Sequence, residues 1–213
     1  MERRRTLFCT GDSGISSLTV NPKPAGRELS WSDERLVREC CKGDPAAWSA
    51  LIDKYKNLIF SIPIKFGLSR EDAGDIFQAV CVDLLAGLPQ LREPKALPKW
   101  LMQTSFHQCV RWKKDRLNLL DDAQEAEQLP EPGTDDLPTT MMEQLEREQC
   151  LREAIVSLPA RCNQMVRMLF FETPPRPYEE IARELNLATG SIGFIRGRCL
   201  KKLRLVLQER GFE

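Results

Sequence analysis

Three sets of side chains in this 213-residue chain have the types and spacing to do chemistry. The first is acidic. Wound as a helix at about 100° per residue, residues 70–88 place Asp72, Asp75 and Asp83 within an arc of roughly 80°. Three acids on one face suit a divalent cation, a basic docking partner or plain solvated surface. No His and no second carboxylate cluster stands near them in the sequence, which makes metal binding the weakest of the three uses. The second set is sulfur: Cys9, Cys40, Cys41, Cys81, Cys109, Cys150, Cys162 and Cys199. None forms a C-x-x-C pair, and His107 is the only imidazole, so a zinc site would need long-range assembly. Most of these cysteines fall within apolar helical patterns, which reads as reduced core thiols in a cytosolic protein.

The third set is cationic. On a helical wheel with Ile192 at zero, Ile195, Cys199, Leu203 and Val206 lie within roughly 60°. Ser191, Phe194, Arg198, Lys201, Lys202 and Arg204 take the opposite side. Cations for phosphate, with Arg or Ser for base edges, suit a DNA major groove; a solvated basic face is the plain alternative. Gly193 and Gly197 flank that face. Each costs a helix about 1 kcal/mol, which a close backbone approach would offset. Arg196 sits at the edge of the apolar arc, free to reach DNA or to pair with Glu180 or Glu184. No nucleophile–base pair or phosphate-binding loop is evident, so the chain reads as a non-enzyme without metal or cofactor.

The elements that must position these groups are helical. Ser30 with Asp33 is a weak capping box for a short helix ended by Gly43. Asp44-Pro45 starts the next one more firmly, with an N-cap oxygen followed by Pro at the first helical position. Trp48, Leu51, Ile52, Tyr55, Leu58, Ile59 and Ile62 then recur every three or four residues, and Pro63 is expected to break or kink that helix. Ser69 with Asp72 opens a helix that Pro89 closes, whose apolar side is Ile76, Phe77, Val80, Cys81, Leu84, Leu85 and Leu88. A basic helix is expected from Pro98 to about Leu117. Near the C-terminus, Ile181, Ala182 and Leu185 form an apolar face, Asn186 to Ala188 a turn, and Thr189 a cap for the cationic helix. That is a helix-turn-helix pattern.

Charge divides the chain. Residues 118–149 hold ten acids and one base, a net of −9, with Pro130, Pro132, Gly133 and Pro138 in the first part. Such a stretch cannot bury a core and reads as a flexible tether. Residues 89–117 carry +5 and residues 151–213 carry +4, so an overall charge of zero conceals two basic regions. No strand signal of convincing length appears. The expectation is an all-α fold: a flexible leader at 1–29, a helical domain at 30–117, an acidic linker at 118–142 and a helix-turn-helix domain at 143–213. The longest uncharged runs, Trp100 to Val110 and Leu185 to Ile195, are eleven residues each. That is short of the roughly 20 a membrane helix needs. With no apolar signal-peptide core after Arg3, Arg4 and Arg5, a cytoplasmic location without membrane insertion is expected.

The motifs in order resemble a known family. Asp72-Ala-Gly-Asp-Ile-Phe-Gln-Ala-Val looks like the "DAED-x-x-Q-x-x" signature in region two of bacterial sigma-70 family initiation factors. Trp100-Leu-Met-Gln-Thr and Cys109-Val-Arg-Trp-Lys-Lys resemble its tryptophan-containing promoter-melting helix. Leu158-Pro, Tyr178-Glu-Glu-Ile-Ala, Gly190-Ser-Ile and Arg198-Cys-Leu-Lys-Lys-Leu look like region four. The acidic linker and the lack of a region-three domain match the extracytoplasmic-function (ECF) group, over roughly residues 33–207.

That resemblance implies a transcription initiation factor that binds core RNA polymerase and directs it to promoters. Asp72, Asp75, Gln78 and Asp83 would face the clamp helices of the polymerase. The loop from Leu91 to Lys99 would receive a flipped base of the start-proximal promoter element. Lys95, Lys99, Trp100, His107, Arg111, Lys113 and Lys114 would line the melted single strand. Ser191, Phe194, Arg196, Arg198, Lys201 and Lys202 would meet the upstream element as duplex. An anti-sigma protein is a further candidate partner. The sequence departs from the family where Gly74 replaces an acid, where Phe106-His107 replaces Arg or Asn, and where Thr173-Pro-Pro-Arg-Pro stiffens the approach to the helix pair. The alternative is a stand-alone helix-turn-helix regulator that needs no polymerase.

Overall fold

The structure, a computed structural model, describes residues 31–119 and 137–212. The expected leader, Cys9, Ser30 and residues 120–136 of the expected tether lie outside the described residues. Those described form an all-α protein, with no strand among them. In order, α1 is Asp33–Cys41, α2 Pro45–Lys65, α3 Arg70–Gly87, α4 Leu97–Leu119, α5 Thr139–Ser157, α6 Ala160–Phe170, α7 Tyr178–Glu184 and α8 Ile192–Glu209. Short 3₁₀ turns occupy Leu88–Gln90, Pro94–Ala96 and Thr189–Ser191. No described helix is long and apolar enough to cross a membrane.

The caps explain most boundaries. Asp44 Oδ1 accepts a hydrogen bond from the Ala46 amide at 2.9 Å, as the Asp-Pro start requires. Ser69 Oγ accepts from the Asp72 amide at 3.1 Å and donates to Asp72 Oδ2 at 2.6 Å. The cap of α1 is Ser32, which accepts from the Arg35 amide. Pro63 does not break α2. It falls in the last turn, and the helix runs on to Lys65 before Gly67, at φ +81°, ends it. Pro63 has no N–H to donate to the Ile59 carbonyl four residues back, so the ladder loses one hydrogen bond there, two residues before the helix ends. Thr189 does not cap α8 through its side chain. It opens the 3₁₀ turn instead, after Asn186 turns the chain at φ +51°.

Two apolar clusters hold the helices. The first is built on Leu51, Tyr55, Leu58, Ile59 and Ile62 of α2, Ile76, Val80 and Leu84 of α3, and Leu101, Met102, Phe106, Cys109 and Val110 of α4. Leu85, expected on the apolar side of α3, is exposed, and Val82 beside it likewise. The second cluster joins Met165 and Val166 of α6, Ile181 and Ala182 of α7, and Ile192, Cys199 and Leu203 of α8.

One helix serves both clusters. Leu145 of α5 is buried in the first, and Ala154 and Ile155 in the second. Leu137, just before α5, is also buried in the first, and its amide donates to Gln103 Oε1 at 2.8 Å. The expected linker boundary at residue 142 therefore falls inside a helix that is already packed, and residues 118 and 119 belong to α4.

The described cysteines split four ways. Cys40 and Cys109 are buried thiols, which pushes both up to about 12. Cys81 and Cys150 are half-buried and Cys41 is exposed. Cys162 and Cys199, by contrast, are joined as a disulfide within the second cluster. The reading of most cysteines as reduced core thiols does not hold at this pair, because the crossing of α6 and α8 brings two residues 37 apart in sequence into bonding reach.

Candidate functional site

The first candidate surface lies where α3 and α4 meet. Trp100, Thr104, His107, Gln108 and Arg111 recur along one side of α4, within an arc of roughly 100°. With Asp83, Ala86, Gly87 and Gln90 from α3 and the turn after it, they line an open cleft of about 340 Å³. Gly87 is the residue that lets the Trp100 ring in. A Cβ there would stand 2.7 Å from Trp100 Cζ2, closer than packing allows. Gln108 Nε2 donates to Asp83 Oδ2 at 2.6 Å, tying the two helices across the cleft. The Phe106 ring sits 5.9 Å from the His107 ring, and its other neighbour is Phe66, edge-on at 5.7 Å.

The residues expected to line a melted strand do not all share this cleft. Trp100, His107 and Arg111 are on it, and Lys114 lies nearby on the same side of α4. Lys113 is round the helix, with its ammonium 4.7 Å over the Phe66 ring. Lys95 is exposed in the turn before α4, and Lys99 is exposed in the first turn of α4 itself, so the expected loop from Leu91 ends at Ala96 rather than Lys99. Arg116 stacks on Trp112 at 5.1 Å, a contact the sequence reading did not single out.

The residues expected to dock a partner also divide. Asp75 and Gln78 are exposed on α3 and engage no other described side chain. Asp72 is occupied in capping α3 through Ser69. Asp83 belongs to the cleft rather than to the face of Asp75. No group of three His, Cys, Asp or Glu among the described residues stands close enough to hold a metal ion.

The second candidate surface is the outer side of α8. Ile192, Cys199 and Leu203 are buried, and Ile195 and Val206 pack partly against the same cluster. The opposite side carries Phe194, Arg198, Lys201 and Lys202, all exposed. Phe194 is 71% exposed, and the Arg198 guanidinium lies 5.8 Å from its ring centre. Gly193 and Gly197 are exposed as well, with nothing within 4 Å of where a Cβ would be.

Two residues expected to contact DNA have local occupations. Ser191 Oγ donates to the Ala188 carbonyl at 2.6 Å. Arg196 Nη1 donates to the Tyr178 hydroxyl at 2.7 Å, so it pairs with neither Glu180 nor Glu184. Glu184 is taken by Arg176, which also holds Glu172 and so braces the segment before α7. Those two carboxylates raise the Arg176 guanidinium above its ordinary value, chiefly through the Glu172 hydrogen bond.

Sequence reading missed a polar chain beside these surfaces. Asp33 Oδ1 accepts from Lys54 Nζ at 2.8 Å and from the Tyr55 hydroxyl at 2.7 Å. Lys54 also lies 3.5 Å from Glu153 Oε1, and Glu153 Oε2 accepts from Arg210 Nη1 at 2.8 Å. The buried Gln149 amide donates to Glu153 at 3.1 Å. Burial, then the charge and hydrogen bond of Asp33, pushes the Tyr55 phenol well above its ordinary range, so it stays a donor. Apart from the Gln149–Glu153 pair, four residues apart on one helix, no spacing rule signals such contacts, because the others join residues far apart in the chain.

The chain matches no protein-family model, and no curated protein is similar enough to be matched to it.

Proposed function

We propose that the chain is a transcription initiation factor of the ECF sigma type. It binds core RNA polymerase, engages an upstream promoter element as duplex through α8, and holds the melted start-proximal element along α4. Catalysis then belongs to the polymerase. The observation that carries this reading is the cleft between α3 and α4: an indole wall from Trp100, with His107 and Arg111 beside it, within a basic stretch of chain. Extruding a base costs a few kcal/mol, and a pocket with an aromatic wall and cations is the surface that offsets it. The exposed cationic side of α8 supports the second contact, since phosphates need cations that are not already paired. Asp75 and Gln78 on the outside of α3 are the groups left for the polymerase. The region of α7, the turn and α8 serves in this reading as the helix-turn-helix.

The test is co-elution of the purified full chain with a bacterial core RNA polymerase, followed by binding to promoter fragments. Co-elution and polymerase-dependent promoter binding are expected. Asp75→Ala should weaken polymerase binding while leaving thermal stability within about 0.5 kcal/mol, as for a surface site. Independent elution of chain and polymerase overturns the proposal. Duplex binding in the absence of polymerase would then leave the stand-alone regulator.

A further inference from the structure

The bonded pair in the second cluster has a consequence that is independent of the transcription reading. Cys162 lies in the first turn of α6 and Cys199 on the buried side of α8, with Cα atoms 5.2 Å apart. Between them in sequence lie the rest of α6, all of α7, the turn and the first half of α8. The bond therefore closes a loop that holds α7, the turn and the first half of α8, and fixes α8, with its exposed cations, to α6.

We propose that Cys162 and Cys199 are a reversible thiol-oxidation site, closed by exchange with a low-molecular-weight disulfide and opened by the corresponding thiol. Cys162 is 8% exposed and Cys199 1%, so Cys162 reacts first. Its thiolate attacks one sulfur of the small disulfide, giving a mixed disulfide and releasing one small thiol. The Cys199 thiolate then attacks the Cys162 sulfur and displaces the second small thiol. Two protein thiols lose two protons and two electrons, and the small disulfide takes up both to become two thiols. In the dithiol state the same side chains remain as apolar groups in the cluster, and the helix pair is held by packing and by the Arg196–Tyr178 hydrogen bond.

Four of the other five described cysteines are weak competitors. Cys40, Cys81, Cys109 and Cys150 remain thiols, and burial raises all four, which keeps their thiolate fractions small. Cys41 is exposed, next in sequence to the buried Cys40.

The full chain is brought to equilibrium in oxidised or in reduced glutathione, quenched in acid, alkylated and mapped by peptide mass. A single intramolecular bond between the Cys162 and Cys199 peptides is expected in the oxidised sample, and none in the reduced one. Hydrogen–deuterium exchange on the two forms should show α6 to α8 exchanging at least tenfold more slowly when oxidised, with α2 to α4 unchanged, because closing a long loop penalises local opening. Cys162→Ala should exchange like the reduced protein in both buffers. Alkylation of both cysteines in the oxidised sample, pairing with another cysteine, or equal exchange in the two forms overturns the proposal. So does a residual redox effect in Cys162→Ala. Neither readout uses DNA or polymerase, so failure here is distinct from failure of the proposed function.

Discussion

Gly193 and Gly197 are two helix residues whose cost the fold itself does not repay. Both stand on the exposed side of α8, where an added Cβ would meet nothing within 4 Å. No packing against the protein explains them, and each lowers helix stability by about 0.5–1 kcal/mol relative to Ala. Gly193→Ala and Gly197→Ala should therefore each raise stability by that amount in urea denaturation. If α8 enters a groove, the same changes should weaken upstream duplex binding by holoenzyme, because the backbone can no longer approach as closely. Unchanged binding with raised stability would mean that this side of α8 faces only water. At this scale the sequence was informative about exposure and poor about partners. Helical spacing placed Arg198 and Lys201 opposite Ile192 and Cys199, and they are exposed. The same spacing left Arg196 open between DNA and acids, and the structure gives it to Tyr178, 18 residues earlier. Nor did the wheel separate Asp83 from Asp75, because a wheel carries no information about the helix that packs alongside.

Helix starts were legible where a cap is written in two adjacent types, as at Asp44-Pro45 and Ser69 with Asp72. Helix ends were less so, since Pro63 is tolerated in a last turn. The larger difference is α5. The expected boundary put everything from residue 143 on in the C-terminal domain, yet Leu145 is buried with α2 and α4 while Ile155 is buried with α6 and α8. Periodicity shows that a face is covered, and not what covers it. This division is measurable, because Trp31, Trp48, Trp100 and Trp112 all pack against the first cluster and none against the second. Leu145→Ala should cost about 2–5 kcal/mol, as for other buried Leu truncations, and should lower the transition seen by tryptophan fluorescence. Ile155→Ala should cost a similar amount yet act mainly on helix content lost without a tryptophan change. A tryptophan transition insensitive to Leu145→Ala would place α5 wholly with the second cluster.

Across the whole molecule, α5 also joins the clusters through ions. Lys65 Nζ donates to Glu148 Oε1 at 2.7 Å, over 83 residues of sequence, and Arg152 donates to Glu148 Oε2 at 3.2 Å. Glu153 meanwhile links Lys54 of α2 to Arg210 beyond α8. The all-α class was legible from periodicity alone, but a tie of this length has no local signature. Partial burial works against ionising Glu148, yet the hydrogen bond and charge of Lys65, with Arg152, hold its carboxyl below the ordinary 4.5. A carboxyl depressed in the folded state adds stability above its unfolded value, and that contribution disappears as pH falls through the lower folded value. Lys65→Met removes the ammonium from a helix end with little change in propensity. With the pair about a quarter to a third exposed, the variant should be less stable at pH 7 by about 1 kcal/mol or less. The gap should hold down to about pH 5, narrow below 4.5 and close once Glu148 is protonated in both proteins; about 1 M salt at pH 7 should shrink it too. Denaturant midpoints across that range decide the matter. A gap that persists undiminished into acid would mean that the Lys65 ammonium does not act through Glu148, and the tie of α5 to α2 would then not rest on this charge pair.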